Sequence, residues 1–263
     1  MDMEIEGARA FVTGSTQGIG LAVVRALLAE GAEVVVNGRS PERVDGVVAD
    51  LIREFPGGVV TGLAADFADS TAAGSVGERL GDVDILVNNV GLFGLASFED
   101  IDDDEWLRYL EVNVMSGVRL SRQVLGGMLA RGRGRIIFVG SESGVNVPGD
   151  MIHYGVTKAA MIALGNGLAK LTRGTGVTVN TILGGPTFSD GVAGAVAHVA
   201  EAQGIDADAM KAAIIAGNQT SLLERFIEPH EIASLAVYLA SPLSAATNGA
   251  ALRADGGVLT AML

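Results

Sequence analysis

Residues 9–31 read RAFVTGSTQGIGLAVVRALLAEG, which places a short apolar run, a glycine-rich turn and a helical pattern in immediate succession. The apolar run over 9–14 predicts a buried strand, and the following pattern predicts a helix that stops at Gly31, where glycine suits the C′ position. Glycines in such a turn permit a tight bend, let the backbone approach a pyrophosphate and let the helix pack close to the strand. The stretch therefore predicts a dinucleotide-binding turn, made by Gly14, Ser15, Thr16, Gln17, Gly18, Ile19 and Gly20.

The rest of the chain repeats this strand-then-helix rhythm. Further strands are predicted over 33–39, 58–66, 83–91, 134–141, 176–183 and 250–254, and further helices over 40–55, 69–80, 103–130, 151–172 and 228–240. The strands are almost continuously apolar, as expected where helices cover both faces of a parallel sheet. The sequence predicts an α/β fold, a doubly wound parallel sheet of about seven strands flanked by helices, in one domain spanning 1–263.

Residues 190–222 interrupt the rhythm with one or two short helical patterns joined around Gly204. The insertion follows the strand that ends near Ile182, and ligands of parallel sheets bind at the carboxyl ends of the strands. We therefore expect a helical lid over the substrate. A helical decoration or a subunit contact is the alternative.

Composition excludes several classes of protein. The chain has 263 residues, of which 49% are hydrophobic, and a net charge of −13. This composition is too apolar for a disordered protein, and the charge has the wrong sign for general nucleic-acid binding. No apolar run is long enough to span a membrane, and a chain without cysteine has no disulfide or thiolate metal site. The acidic start enters a strand almost at once, so we expect a cytoplasmic protein without a targeting segment, a membrane association or a bound metal.

The end of the second predicted strand indicates which dinucleotide binds. An acidic residue there would bind the ribose diol of NAD, whereas this sequence has Gly38 followed by Arg39. The guanidinium of Arg39 could pair with a 2′-phosphate, so NADP(H) is favoured and NAD(H) is the alternative. Asp66 closes the third strand and could bond the adenine amino group, or instead cap the next helix.

Tyr154 and Lys158 are four residues apart in an apolar, helical run, so they share one face of a helix. A tyrosine and a lysine at this spacing are by themselves more often a surface contact than a catalytic pair. Taken together with TGSTQGIG, NNVG at 88–91, Asn113 and Ser141, the pair resembles the classical short-chain dehydrogenase/reductase family. The resemblance covers nearly the whole chain, including VNTILGGPTFSDG at 179–191 and NGAALRADGG at 248–257.

The resemblance implies a Rossmann-like fold and a role for each matching residue. Tyr154 corresponds to the catalytic acid/base and Lys158 to its partner. Ser141 corresponds to the serine that binds the substrate oxygen, and Asn113 to the asparagine that holds a water in a proton relay. The helices over 103–130 and 151–172 match those that pair subunits in the family, which implies a homo-oligomer, a tetramer or a dimer.

Other matching residues imply contacts with the cofactor. Asn89 and Gly91 correspond to the motif on the adenosine side, and the segment after Ile182 corresponds to the one that holds the nicotinamide, with Gly185, Thr187 and Ser189. The sequence departs from the family at Val90, where alanine is usual, at Gly184, where proline is usual, and at Ser189, where threonine is frequent.

The residue types suit proton transfer coupled to hydride transfer. A free tyrosine has a pKa of about 10, and an ammonium one turn away is expected to lower it. Ser141 would donate to the developing oxyanion. The expected substrate is a small ketone or secondary alcohol on a mostly apolar skeleton, because the expected pocket is lined by Leu92, Phe93, Leu95, Val145, Val147, Met151, Pro186 and Phe188. Glu142 could bond a polar substrate group, although a solvated side chain is favoured.

Two alternatives stay open at this point. A 3-oxoacyl thioester reductase of fatty-acid or polyketide synthesis would share these motifs, but the sequence shows no obvious basic patch for a carrier protein. A non-catalytic NADP(H)-binding sensor or scaffold would share the fold, but it would have no need of the complete set Asn113, Ser141, Tyr154 and Lys158.

Overall fold

A computed structural model describes residues 1–69, 71–72, 76 and 79–262, without the side chains of 195, 202 and 203. In this part of the chain one parallel sheet has the order β3-β2-β1-β4-β5-β6-β7. Its strands are β1 Arg9–Val12, β2 Glu33–Gly38, β3 Val60–Ala64, β4 Ile85–Asn88, β5 Arg133–Ser141, β6 Gly176–Gly184 and β7 Ala251–Ala254. The strand order reverses between β1 and β4, which is where doubly wound sheets bind their ligands. The predicted fold class is confirmed.

Helices cover both faces of the sheet. They are α1 Gly18–Ala29, α2 Pro41–Glu54, α3 Asp103–Tyr109, α4 Ser116–Arg131, α5 Ile152–Leu171, α6 Asp190–Gln203, α7 Ala207–Gly217 and α8 Pro229–Ala240. Half of the predicted helix over 69–80 lies outside the described residues. None of the helices in the described residues combines the length and apolar composition of a membrane span.

The core has two layers, one on each face of the sheet. Ala10 and Val12 of β1 pack with α1 and α8, whereas Phe11 points to the opposite face and packs with α4 and α5. All three side chains are fully buried. Because both faces are covered, consecutive residues of the central strands are apolar and buried, as in Ile85, Leu86 and Val87 of β4.

A glycine marks the end of α1, and a serine followed by a proline marks the start of α2. Gly31 adopts a left-handed φ of 81°, and the chain closes the last turn of α1 through the bond from Ala32 N to Leu27 O, 3.1 Å. Helix α2 begins after Ser40, whose hydroxyl accepts from Arg43 N at 3.3 Å, and Pro41 takes the first helical position. These are the boundaries that the glycine and the Ser-Pro pair predict.

The helix predicted over 103–130 is not continuous. A π-helical segment, Leu110–Met115, separates α3 from α4. A π turn is wider than an α turn and rotates the residues within it relative to the flanking helix. Asn113 lies in this segment and is buried, so the irregular turn positions a candidate site residue.

The insertion over 190–222 forms two helices, α6 and α7, joined at Gly204. They enclose a small apolar cluster of Val196, Ala200 and Met210, with Phe188 packed against it. Where the sequence predicts one or two helices, the structure has two, and their role as a lid stays a prediction.

Gly20 provides a test of how tightly α1 packs on the glycine turn. A Cβ there would lie 2.5 Å from Gly14 O and 2.9 Å from Ser15 Cα, which are backbone atoms. We expect Gly20→Ala to lower the free energy of unfolding by about 1–3 kcal/mol through overpacking. Gly46 lies inside α2, and a Cβ added there has no atom within 4 Å. Gly46→Ala should therefore raise the free energy of unfolding by about 0.5–1 kcal/mol. Urea unfolding followed by circular dichroism measures both, and equal effects would contradict the packing argument.

Candidate active site

The glycine turn is held by a hydrogen-bonded clasp between the ends of β1 and β4. The Thr13 hydroxyl accepts from Asn89 N at 2.9 Å and from Val90 N at 3.0 Å. The Asn89 amide in turn donates to Thr13 O at 3.0 Å and to Gly14 O at 3.1 Å. The side chain of Asn89 is therefore occupied in shaping the turn.

A second set of bonds ties the same turn to β2 and β3. Gly14 N donates to Asn37 Oδ1 at 3.0 Å, and the Asn37 amide donates to Leu63 O at 3.0 Å. The Ser15 hydroxyl donates to Val12 O at 2.7 Å and is fully buried. Ser15 thus supports the turn with its side chain, and Asn37 is a supporting residue that the sequence patterns did not indicate.

The start of α1 is built to receive an anion. No side chain caps the helix at Gln17, and Gly18 N donates at 2.6 Å to a carboxylate oxygen of Asp190. A carboxylate at this end is stabilised by the free N–H groups and by the helix dipole. The same contact joins the first turn of α6 to the glycine turn. The residues present therefore fit a negatively charged group such as a pyrophosphate.

Two guanidinium groups lie where the adenosine end of a dinucleotide is expected. Arg39, after β2, is exposed and forms no ion pair with any residue that the structure describes. Arg43, four residues later on α2, donates to Gln17 Oε1 in the glycine turn. Sequence reasoning missed Arg43, although its spacing from Arg39 places both at one end of α2. Asp66 is exposed, and its carboxylate accepts from Ala68 N at 3.0 Å in a local turn.

Tyr154 and Lys158 meet Ser141 at the carboxyl end of β5. The Lys158 ammonium donates to Val139 O at 2.9 Å and lies 5.5 Å from the centre of the Tyr154 ring. A Cβ added to Gly144 would lie 2.8 Å from the Lys158 carbonyl carbon, so the turn after β5 packs directly on α5. The structure thus brings the serine, the tyrosine and the lysine together.

Asn113 joins this group from the π-helical segment. Its Oδ1 accepts from Leu92 N at 2.7 Å, and its Nδ2 donates to Leu92 O at 3.0 Å and to Thr157 Oγ1 at 2.9 Å. A Cβ at Gly91 would be 3.6 Å from both Asn113 Oδ1 and Lys158 Nζ. The side chain of Asn113 therefore positions the loop after β4 beside the lysine, and the water relay stays a prediction.

Burial controls the protonation of the pair. It raises the pKa of Tyr154 to about 12, against the opposing effect of a hydrogen bond with Ser141, and the charge of Glu142 adds to the increase. Burial also lowers the pKa of Lys158 to about 8. The spacing argument expects the ammonium to lower the tyrosine pKa, but burial of the phenol raises it instead.

The segment after β6 uses its hydroxyl groups internally. Thr187 Oγ1 donates to Gly185 O at 2.9 Å, and Ser189 Oγ accepts from Val192 N at 3.5 Å as the N-cap of α6. This fixes the path of the chain from β6 into the two-helix insertion.

Two neighbours of the candidate catalytic residues make packing and backbone contacts. His153 is buried, and its ring packs on Tyr109 with 4.1 Å between ring centres. Ser143 N donates to Ser141 Oγ at 3.1 Å, which holds the end of β5. Among the residues expected to form an apolar wall, the most exposed are Phe93, Leu95, Val145 and Val147.

Comparison with known proteins agrees with this geometry. The model of the short chain dehydrogenase family matches residues 8–200. The chain belongs to the short-chain dehydrogenase family. Members of this family are oxidoreductases, and this chain is one of them, with the Rossmann-like sheet at its centre.

Several short-chain dehydrogenases align over almost the whole chain. The uncharacterized oxidoreductase YvrD of Bacillus subtilis is 43% identical over 266 residues and covers 100% of both chains. A 3-oxoacyl acyl-carrier-protein reductase of Vibrio harveyi is 33% identical, covering 97% of this chain and 99% of its own. The crystal structure of L-sorbose reductase from Gluconobacter frateurii, complexed with NADPH and L-sorbose, is 32% identical with a TM-score of 0.94 and covers 100% of both chains.

The lowered lysine pKa predicts a pH profile. The Lys158 ammonium loses its proton as the pH rises through about 8, whereas Tyr154 stays protonated because its pKa is about 12. We expect kcat/KM for carbonyl reduction to be level below this pH and to fall about tenfold per pH unit above it, since kcat/KM reports ionisations of the free enzyme.

The control is Lys158→Arg, which keeps its charge throughout the range. Any activity that this variant retains should show no decline in that window. A wild-type profile that stays level up to a pH of about 10, the ordinary lysine value, would contradict the lowered pKa.

Proposed function

We propose that this chain is an NADP(H)-dependent oxidoreductase that interconverts a ketone and a secondary alcohol on a small, mostly apolar molecule, with Tyr154 as general acid/base. The observation that carries the proposal is the meeting of Tyr154, Ser141 and Lys158 at the carboxyl end of β5. They lie beside a glycine turn whose helix already binds a carboxylate. A proton-transfer group and an anion-binding turn at one edge of the sheet are what a dinucleotide-dependent reaction requires.

We propose that the residues singled out in the sequence bind the cofactor. The glycine turn over 14–20 would hold the pyrophosphate, Arg39 the 2′-phosphate and Asp66 the adenine amino group. Asn89 and Gly91 would line the adenosine side, and Gly185, Thr187 and Ser189 would lie along the nicotinamide. Arg39 has no ion-pair partner among the residues that the structure describes, which supports NADP(H), as does NADPH in the related L-sorbose reductase structure. NAD(H) is the alternative, and when bound the dinucleotide supplies or accepts the hydride.

Residues of the chain bind the substrate oxygen and transfer its proton. Ser141 Oγ holds the substrate oxygen by a hydrogen bond, and Tyr154 donates the proton of its hydroxyl to that oxygen in reduction. The raised tyrosine pKa keeps this proton in place at neutral pH. Lys158 holds a positive charge beside the phenol below a pH of about 8. Asn113 keeps the loop at Gly91 in position.

The lid and the assembly are further parts of the proposal. Residues 190–222 cover the cleft, supported by the contact from Asp190 to the glycine turn and by the closeness of Gly191 to Phe93. A Cβ at Gly191 would lie 3.6 Å from the Phe93 ring. We propose a homo-oligomer, a tetramer or a dimer, that pairs through α4 and α5.

A 3-oxoacyl thioester reductase is the second candidate. The 33% identity to the Vibrio harveyi reductase supports it. The net charge of −13 and the absence of a basic patch in the sequence argue against docking of a carrier protein. Rates of NADPH oxidation with an acetoacetyl thioester and with a free ketone separate the two: faster turnover of the thioester would replace the leading proposal.

Tyr154→Phe tests the acid/base assignment. Loss of a positioned proton donor should lower kcat by about 10²–10⁴-fold, while the dissociation constant for NADPH stays within about twofold. Steady-state rates and fluorescence titration of NADPH measure the two quantities. Tyr238→Phe, on α8, removes the same hydroxyl outside the cleft and should leave kcat unchanged. Undiminished turnover in Tyr154→Phe would overturn the mechanism.

Arg39→Ala tests the phosphate assignment. Removing a charged hydrogen-bond partner should raise the dissociation constant for NADPH about 10–100-fold and that for NADH less than about twofold. Arg53→Ala, at the far end of α2, removes an equal charge as a control. If NADPH and NADH are weakened equally in Arg39→Ala, the residue does not bind the 2′-phosphate.

A further inference from the structure

The hydroxyl of Thr157 lies between two segments that carry candidate catalytic residues, and it bonds both. Thr157 is on α5, one residue before Lys158, and its side chain is fully buried. Its Oγ1 donates to Tyr154 O at 2.7 Å and accepts from Asn113 Nδ2 at 2.9 Å. The hydroxyl therefore joins the helix that carries the tyrosine and the lysine to the π-helical segment that carries the asparagine.

The directions of these two bonds follow from the chemistry of the groups. A hydroxyl has one proton, and a carbonyl oxygen can only accept. The proton of Thr157 is therefore committed to Tyr154 O, and towards Asn113 the hydroxyl acts only as an acceptor. Asn113 must turn its NH2 group, and not its oxygen, towards the threonine. Thr157 thus decides which way the Asn113 amide faces.

The orientation of the Asn113 amide determines how it holds the loop after β4. Its Oδ1 accepts from Leu92 N at 2.7 Å, and Nδ2 gives its second proton to Leu92 O at 3.0 Å. A flipped amide would set oxygen against oxygen at Leu92 O and N–H against N–H at Leu92 N, so both bonds would be lost. Both amide protons are used, so the side chain of Asn113 holds the loop and has no proton to offer a substrate.

The loop that Asn113 holds lies beside the ammonium of Lys158. A Cβ at Gly91 would be 3.6 Å from Lys158 Nζ and 3.6 Å from Asn113 Oδ1. The ammonium itself donates to Val139 O at 2.9 Å. Since Gly91 directly precedes Leu92, a loosened hold on Leu92 moves the backbone that lies next to the lysine charge.

We propose that Thr157 is a positioning residue for the reaction: its hydroxyl sets the orientation of the Asn113 amide and thereby holds the loop at Gly91 and Leu92 beside the Lys158 ammonium. The inference rests on the proposed function, because it gives Thr157 a part in the same proton transfer. Thr157 acts through Asn113, since its hydroxyl is occupied by the two bonds and its side chain is closed off from solvent.

Thr172, directly after the last residue of α5, makes the same pair of bonds about 20 Å further along the helix. Its Oγ1 donates to Ala169 O, three residues earlier, at 2.8 Å and accepts from Asn248 Nδ2 at 2.9 Å. The side chain is buried, and Asn248 Oδ1 accepts from Val179 N at 2.9 Å. Valine at either position keeps the shape of threonine and removes the same two bonds, so Thr172 is a matched control.

The test measures NADPH oxidation by the full-length chain with 2-butanone, cyclohexanone and acetophenone, and continues with the ketone that the wild type reduces fastest. We expect Thr157→Val to lower kcat/KM about tenfold, because a buried amide proton of Asn113 loses its acceptor. Thr172→Val should leave kcat/KM within about twofold of the wild type, although both variants lower the Tm by a similar amount. Thr157→Ser keeps the hydroxyl and should recover most of the lost activity.

A double variant tests whether the threonine acts through the asparagine. Asn113→Ala removes every bond of the amide, so Thr157→Val has nothing left to disturb in that background. We expect the second substitution to lower kcat/KM by no more than about a further twofold. Losses that multiply in the double variant would mean that the two residues act independently, and would overturn the inference.

Other outcomes separate this inference from the function on which it rests. Equal effects of Thr157→Val and Thr172→Val on kcat/KM, or no recovery in Thr157→Ser, overturn the role of Thr157 alone. If Thr157→Val does not fold, Thr157→Ala and Thr172→Ala are compared in the same way and decide the same question. No turnover of any of the three ketones by the wild type, with NADPH bound, overturns the proposed function and the inference together.

Discussion

The clasp between Thr13 and Asn89 joins the ends of β1 and β4 at the point where the strand order reverses. One hydroxyl accepts from two consecutive backbone N–H groups, and one amide donates to two consecutive carbonyls of the glycine turn. Through it the glycine turn is joined to the loop after β4, whose Gly91 lies beside the Lys158 ammonium.

Low polarity is the second constraint on the site. Both members of the Tyr154 and Lys158 pair are shifted towards their neutral forms by burial, in opposite directions of pKa. The Tyr154 phenol therefore stays protonated at neutral pH, and a further positive charge nearby is needed to favour the phenolate. Burial also raises the pKa of the Glu142 carboxyl. A site of this kind responds strongly to the charge and the hydrogen-bond donors of whatever enters it.

Much of the fold could be predicted from residues 9–31 and the alternation that follows, because strand and helix patterns depend on local periodicity. The first four predicted strands run past the observed carboxyl ends, most clearly over 83–91, where β4 covers only Ile85–Asn88, whereas the last three end within one residue of the prediction. The remaining residues look like a strand in sequence but turn out of the sheet, since Asn89 bonds the glycine turn. The ends of β1 and β4 are hard to predict because the residues beyond them form hydrogen bonds with each other across the glycine turn.

The sequence by itself determined the order of the elements, the glycine turn and the set of residues Asn113, Ser141, Tyr154 and Lys158, because spacing and residue type are local properties. Tertiary structure alone decided the contacts between distant segments and the electrostatics. Asp190 bonds Gly18 across 172 positions of sequence, and the π-helical segment turns Asn113 towards Leu92. Tertiary structure also decided the direction in which the Tyr154 pKa shifts. Desolvation of the phenol depends on every segment that packs around it and not only on the lysine one turn away.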